Sequence, residues 1–328
     1  YSMTAGNFIV EYIRAAYPSL KTKALDYLII SHYHYDHYGQ VDSLSAWSIS
    51  GRYQLSGVTE VFDKVGIHHI IDRGHYYPID LRKRYADDKS FQNYLNFLGE
   101  LSSKGVIVDS LKAGSSSQIR QHYHARKYSD FLVRNIKANA TIWNGEKNNT
   151  YTYQFNPPIT EWSGFDENPL GLAIKVSYGM FDYYTGGDLP GFNMEQDYDM
   201  ETAIANQVGK VEAMALNHHG YYDATNSSFL LALSPLIGVQ QSIHDPHFER
   251  SALERVKKHP FPLFTYHYPN KPTDSLAILI RKMYASTNGH ILIRVHPGGK
   301  TFSTYTLDLI DHQLKVISYF GPYKSHPL

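Results

Sequence analysis

Short apolar runs separated by polar turns dominate this chain, and they set its predicted elements. Residues 6–16 carry apolar side chains at helical spacing and stop before Pro18, which predicts a helix. A mostly apolar run at 25–30 has the length of a buried strand, and a helix is expected near 39–47. "VGIHHIIDRGHYY" predicts a second strand ending near Asp72 to His75. "FQNYLNFLGELSSKG" then reads as an amphipathic helix closed by Gly105, with "VIVDSL" a strand behind it. Residues 113–130 are polar and rich in Ser, His and Arg, which predicts a loop or lid. From 131 to 188 come short strands divided by turns, the last running into Gly186-Gly187-Asp188. A helix at 198–208 precedes the strand "VEAMALNHHG", and "FLLALSPLIGVQQSIH" predicts a helix followed by a strand. The helix "ERSALERVKKH" and the strands "HILIRVH" and "TFSTYTLDLI" complete the series.

Strand after strand in this series ends on a residue able to bind a ligand: His32, Asp188, His218 and His219, His244. Layered α/β folds gather strand C-termini at one edge, where their crevices form. The expected fold class is therefore α/β, with mixed sheets packed face to face and helices outside. No repeat or low-complexity linker divides the chain, so a single domain over 1–328 is expected.

Composition narrows the chemistry. The 328 residues hold 31 basic and 31 acidic side chains, so no global field draws the chain to nucleic acid or an anionic membrane. No apolar stretch approaches the roughly 18 residues of a membrane span. The absence of Cys excludes disulfides, thiolate zinc sites and Cys nucleophiles. Together with 28 Tyr it favours an extracytoplasmic setting, periplasmic or secreted.

The densest chemistry is His32-x-His34-x-Asp36-His37, four potential metal ligands straight after an apolar run. Residues 32 and 34 are expected to face one ion, and Asp36 and His37 a second. Imidazole and carboxylate donors suit zinc, or manganese or iron, better than magnesium or calcium. Asp188, His218, His219 and His75 are further candidate ligands. His244 and His247, in "SIHDPHF", are expected to contact substrate.

These motifs resemble those of the metallo-β-lactamase superfamily: "HYHYDH", then "YYTGGDL", then "VEAMALNHHG". The last two look most like the branch containing DNA-uptake ComEC-type domains and teichoic-acid phosphorylcholine esterases. The resemblance implies an αββα sandwich, two metal ions and hydrolysis by a metal-bridged hydroxide. His32, His34 and Asp188 would hold the first ion, and Asp36, His37, Asp188 and His219 the second. His218 would serve catalysis beside Asp36. A phosphodiester or other phosphoester, small or polymeric, is the expected substrate. An acyl hydrolase of lactamase or lactonase type, or a non-catalytic binding module with a weakened metal site, is the alternative. Two departures stand out. The superfamily's opening strand pair has no counterpart before the first helix, so the expectation is that those strands are missing here. Ser115, Ser116 and Ser117 stand where the esterases carry the third His of the first metal site.

Overall fold

The apolar run at 25–30 forms the first strand of a parallel sheet, as its length requires. The computed structural model describes residues 4–17, 24–160, 164, 166–194, 198–242, 244–308 and 314–327. The chain divides into two compact units. One holds residues 1–111, 159–163 and 312–314, and the other holds 112–158, 164–311 and 315–328.

In the first unit, helix α1 (Ala5–Ala16) precedes strand β1 (Leu25–Ile29) and a single helical turn, α2 (Tyr35–Tyr38). Helix α3 (Val58–Val65), strand β2 (Ile67–Asp72), the short α4 (Leu81–Arg84), helix α5 (Lys89–Ser103) and strand β3 (Ile107–Ser110) follow. The sheet order is β1-β2-β3, all parallel, with Leu25 opposite Ile67 and His69 opposite Ile107. Asp88 caps α5 by accepting from the Phe91 amide at 2.9 Å. The helix buries Phe91, Tyr94, Phe97, Leu98 and Leu101 along one face.

The expected helix at 39–47 does not form. Asp42 Oδ1 accepts from the amides of Leu44 and Ser45 at 2.8 and 2.9 Å, a side-chain turn that competes with helical hydrogen bonding. The helix lies later, at α3, where the sequence reading placed none. Strand β2 stops at Asp72, short of His75, because Asp72 Oδ1 accepts from the amide of Gly74, whose φ is +81°.

The second unit opens with strands β4 (Phe131–Ala138), β5 (Thr141–Trp143) and β6 (Thr150–Thr152). The hairpin β7 (Ala173–Tyr178) and β8 (Phe181–Thr185) leads to α6 (Met200–Val208) and β9 (Ala213–Ala215). Then come α7 (Ser227–Leu233), β10 (Ile237–Val239), α8 (Arg250–Lys258), β11 (Leu263–Phe264), α9 (Asp274–Met283) and β12 (Tyr284–Ser286). These strands build one sheet of order β12-β11-β10-β9-β8-β7-β4-β5-β6. It is parallel from β8 to β12 and antiparallel from β8 to β6. A second, antiparallel sheet consists of β13 (His290–Val295), β14 (Thr301–Leu307) and β15 (Val316–Lys324). The structure is thus α/β, with several sheets and flanking helices.

Strand alternation explains the layering of this unit. Phe181 and Tyr183 of β8 pack with Ala213, Ile237 and Phe264 against Phe302 and Ile293 of the second sheet. Tyr184 points the other way and meets Phe229 of α7 edge to face at 5.2 Å. Ile237 is fully buried in this core. Ile237→Val is expected to cost about 1 kcal/mol, read as a lower urea midpoint with unchanged slope. Among the described residues no helix is long and apolar enough to cross a membrane.

Candidate metal centre

Each unit carries its own group of metal-capable donors. In the first unit they follow β1. His32 is 0% exposed and at the centre of the group. Its Nε2 lies 3.1 Å from His34 Nδ1, and its ring centroid is 4.1 Å from that of His37. Ser31 Oγ sits 3.1 Å from Nδ1 of both His32 and His37. One hydroxyl has one proton, so it donates to one ring and accepts from the other. Asp36 is exposed, with Oδ2 3.5 Å from His37 Nε2.

Two of the three tyrosines in and beside this motif anchor the turn. Tyr33 is buried against Phe91 and beneath the Arg73 guanidinium, 4.8 Å from its ring. Tyr38 packs on Tyr94 at 5.0 Å. Tyr35, the third, is exposed. Gly39 closes the turn at φ +119°, where a Cβ would meet the Ser56 carbonyl oxygen at 2.6 Å. His75 does not join this group. It lies against Tyr76, with ring centroids 4.0 Å apart, and lines a cavity of about 450 Å³ with Asp72, Arg82 and Asp109.

In the second unit the parallel run does the positioning. Strands β8, β9 and β10 end at one edge, and Asp188, His218, His219, His244 and His247 all lie in the segments that follow them. A Cβ at Gly186 would collide with the Tyr184 hydroxyl and the Asn217 carboxamide, so only glycine fits before the Asp188 turn. The His218 amide donates to the Gly187 carbonyl at 3.1 Å and ties the two loops together.

His218 and His219 both have left-handed backbones, with φ of 44° and 55°. Such a pair costs roughly 1–2 kcal/mol per residue and persists only where the surroundings impose it. The imposition comes from a buried network. Asn217 accepts from the Tyr184 hydroxyl at 3.1 Å and donates to Glu201 Oε1 at 2.9 Å. Glu201 also accepts from the amides of Thr225 and Asn226. Gln240 Nε2 donates to the carbonyls of His219 and His247, at 2.8 and 2.9 Å. Sequence reasoning missed Asp223, Gln240 and Glu201, because a lone polar residue has no spacing pattern to betray it.

The two imidazoles are held differently. His218 Nδ1 lies 2.7 and 2.8 Å from the two oxygens of buried Asp223, and its Nε2 is 4.0 Å from Asp188 Oδ2. Burial pushes the His218 pKa down, but the hydrogen bond and charge of Asp223 outweigh it and the net direction is up. His219 Nδ1 lies 2.6 Å from the Gln241 carbonyl, an acceptor only, so Nδ1 carries the proton. Its Nε2 faces Asp188 Oδ2 at 3.2 Å. A neutral ring and a carboxylate would there oppose two lone pairs, which a cation between them reconciles. The donor set of this half therefore fits a metal ion.

His247 stacks on His219, with ring centroids 4.6 Å apart and planes 5° apart. Burial, then the neighbouring His219, His218 and His244, push its pKa down to about 4, so it is a neutral ring. His244 is exposed, 5.6 Å from His247 between centroids.

No protein-family profile matches the chain, and neither does any curated protein. Among solved structures it is similar to a protein from Parabacteroides distasonis, provisionally described as a metal-dependent hydrolase. The match covers 75% of this chain and 77% of the other, at 12% identity and a TM-score of 0.33. That likeness is too distant to assign a fold or an activity.

Proposed function

We propose that this chain is a metal-dependent hydrolase of phosphoesters, phosphodiesters foremost, of the metallo-β-lactamase type with its αββα fold. In this reading His32, His34 and Asp188 hold one cation, and Asp36, His37, Asp188 and His219 hold a second. Zinc matches these donors best, with manganese and iron next. His75 takes no part. The observation that carries the reading is Asp188 Oδ2 opposed to His219 Nε2 at 3.2 Å, with the other ring nitrogen committed to a carbonyl. Likeness of the "GGDL" and "NHHG" segments to those of esterases favours phosphoryl over acyl chemistry.

Cations bound there supply Lewis acidity, drawing charge from a phosphoryl oxygen and acidifying water toward a pKa of about 7. The chain's own groups do the rest. His218, with its Nδ1 proton committed to Asp223, takes a proton at Nε2 as water attacks and returns it to the departing ester oxygen. Asp223 fixes the ring and stabilises the imidazolium that forms, in keeping with the raised pKa of His218. The neutral His247 ring walls one side of His219, and His244 meets substrate at the rim.

Purified protein is expected to hydrolyse bis-p-nitrophenyl phosphate or p-nitrophenylphosphorylcholine, to lose at least about 100-fold on chelation, and to recover with zinc or manganese. Activity that survives both chelation and Asp36→Ala would refute the reading. Turnover of nitrocefin alone would assign acyl chemistry instead.

A further inference from the structure

Strand β4 carries a lysine at a position that the sequence alone would give to a hydrophobic residue. Lys137 is 0% exposed, and its ammonium donates to the carbonyls of Pro169 and Gly171 at 2.7 and 2.9 Å. Pro169 lies within the single 3₁₀ turn Asn168–Leu170 and Gly171 caps its C-terminal end, so the lysine ties that turn to β4. The turn held by this buried cation begins at Asn168. This side chain is 3% exposed, and its Nδ2 lies 3.5 Å from His218 Nε2. The Nδ1 proton of His218 belongs to Asp223, so Nε2 of the neutral ring is an acceptor and the amide turns its nitrogen toward it. That leaves Asn168 Oδ1 buried beside His218 with no hydrogen-bond donor, a state that costs about 1–3 kcal/mol if nothing ever satisfies it.

We infer that Asn168 is a specificity-determining substrate contact, accepting through Oδ1 from a hydroxyl or ammonium group on the alcohol portion of the ester, with Lys137 as its positioning residue. The inference rests on the phosphodiesterase reading of this site and adds a substrate class to it: esters of hydroxylated or aminated alcohols, in preference to plain alkyl esters. A site built to accept a hydrogen bond discriminates strongly against the analogue lacking the donor, because its own buried acceptor then stays unmet.

Three p-nitrophenyl phosphodiesters of matched size test this: the 2-hydroxyethyl, 2-aminoethyl and propyl esters, assayed on zinc-loaded full chain. The wild type is expected to favour the hydroxyethyl or the aminoethyl ester over the propyl ester by about tenfold or more in kcat/KM; which of the two is favoured tells hydroxyl from ammonium. Asn168→Ala should erase that preference, slowing the favoured ester by about tenfold or more and the propyl ester by clearly less. Lys137→Met, checked for a cooperative thermal melt, should weaken the same preference through the displaced turn. Should Lys137→Met fail to fold, Asn168→Ala alone decides. A wild type without preference, or an Asn168→Ala variant slowed equally on all three esters, would overturn the inference while leaving the phosphodiesterase reading standing. A wild type that cleaves none of the three overturns both.

Discussion

If the proposed dinuclear phosphodiesterase site is correct, Asp188→Ala is expected to lower kcat/KM on bis-p-nitrophenyl phosphate by at least about 10³-fold and to bring the metal content from the proposed two ions per chain to fewer than one. The size follows from the position. Asp188 is buried and is the one carboxylate common to both proposed ligand sets, so its removal weakens both ions at once. Loss of Asp36, which serves one set, should cost less metal. The fold should survive, because in the second unit Asp188 contributes a side chain at a loop and no part of the sheet. Its neighbour Gly187 still accepts from the His218 amide through backbone atoms. The measurement is metal analysis beside a thermal melt and a rate. Two ions per chain in a folded Asp188→Ala protein would remove the bridging role.

The second large effect concerns stability and its pH dependence. Glu201 is 0% exposed and accepts from Asn217 Nδ2 and the amides of Thr225 and Asn226, at 2.9, 2.8 and 2.6 Å. Glu201→Ala leaves three buried donors without an acceptor and is expected to cost about 4 kcal/mol. The loop it braces, 217–226, carries His218, His219 and Asp223, so activity should fall with the loop's order. Burial, opposed by those three hydrogen bonds, pushes the Glu201 pKa up from 4.5 to about 7. A raised carboxyl pKa means that stability is complete below about pH 4.5 and declines as pH rises to about 7. Across that window the unfolded chain ionises this group and the folded chain does not, which amounts to about 3 kcal/mol. Above it, both states are ionised and the cost is constant. Glu201→Gln cannot titrate. The difference in unfolding free energy between wild type and Glu201→Gln, measured in urea with chelator present, should therefore shift by about 3 kcal/mol between pH 4.5 and 7.5. A difference that stays flat would show that the three donors hold the carboxylate ionised throughout.

Both expectations depend on how segments distant in sequence are brought together, and here the sequence and the tertiary structure divide the work. Local pattern was enough for β1, β2, α5, the β7–β8 hairpin and the α7–β10 unit, because apolar period and turn residues are properties of neighbours along the chain. It also singled out the candidate donors, since "HYHYDH", the Asp after Gly186-Gly187 and the His pair announce themselves by spacing. It failed at 39–47, where one aspartate side chain replaced a helix with a turn, and it did not anticipate α3, α9 or the strands β11, β12 and β15. Strands as short as β11 and β12, of two and three residues, hold their place through pairing with neighbours rather than through their own composition.

What no local pattern could supply is the set of partners that give the donors their chemistry. That His219 faces Asp188 while His218 turns to Asp223 follows from two left-handed residues held by Asn217, Glu201 and Gln240. That Asn168 stands beside His218 depends on two segments 50 positions apart meeting in the fold. The sequence alone determined which residues are able to bind metal and which runs become strands. Only the folded chain decided their tautomers, their exposure and their neighbours, because those depend on burial and on hydrogen bonds between segments that meet only once the sheets have formed.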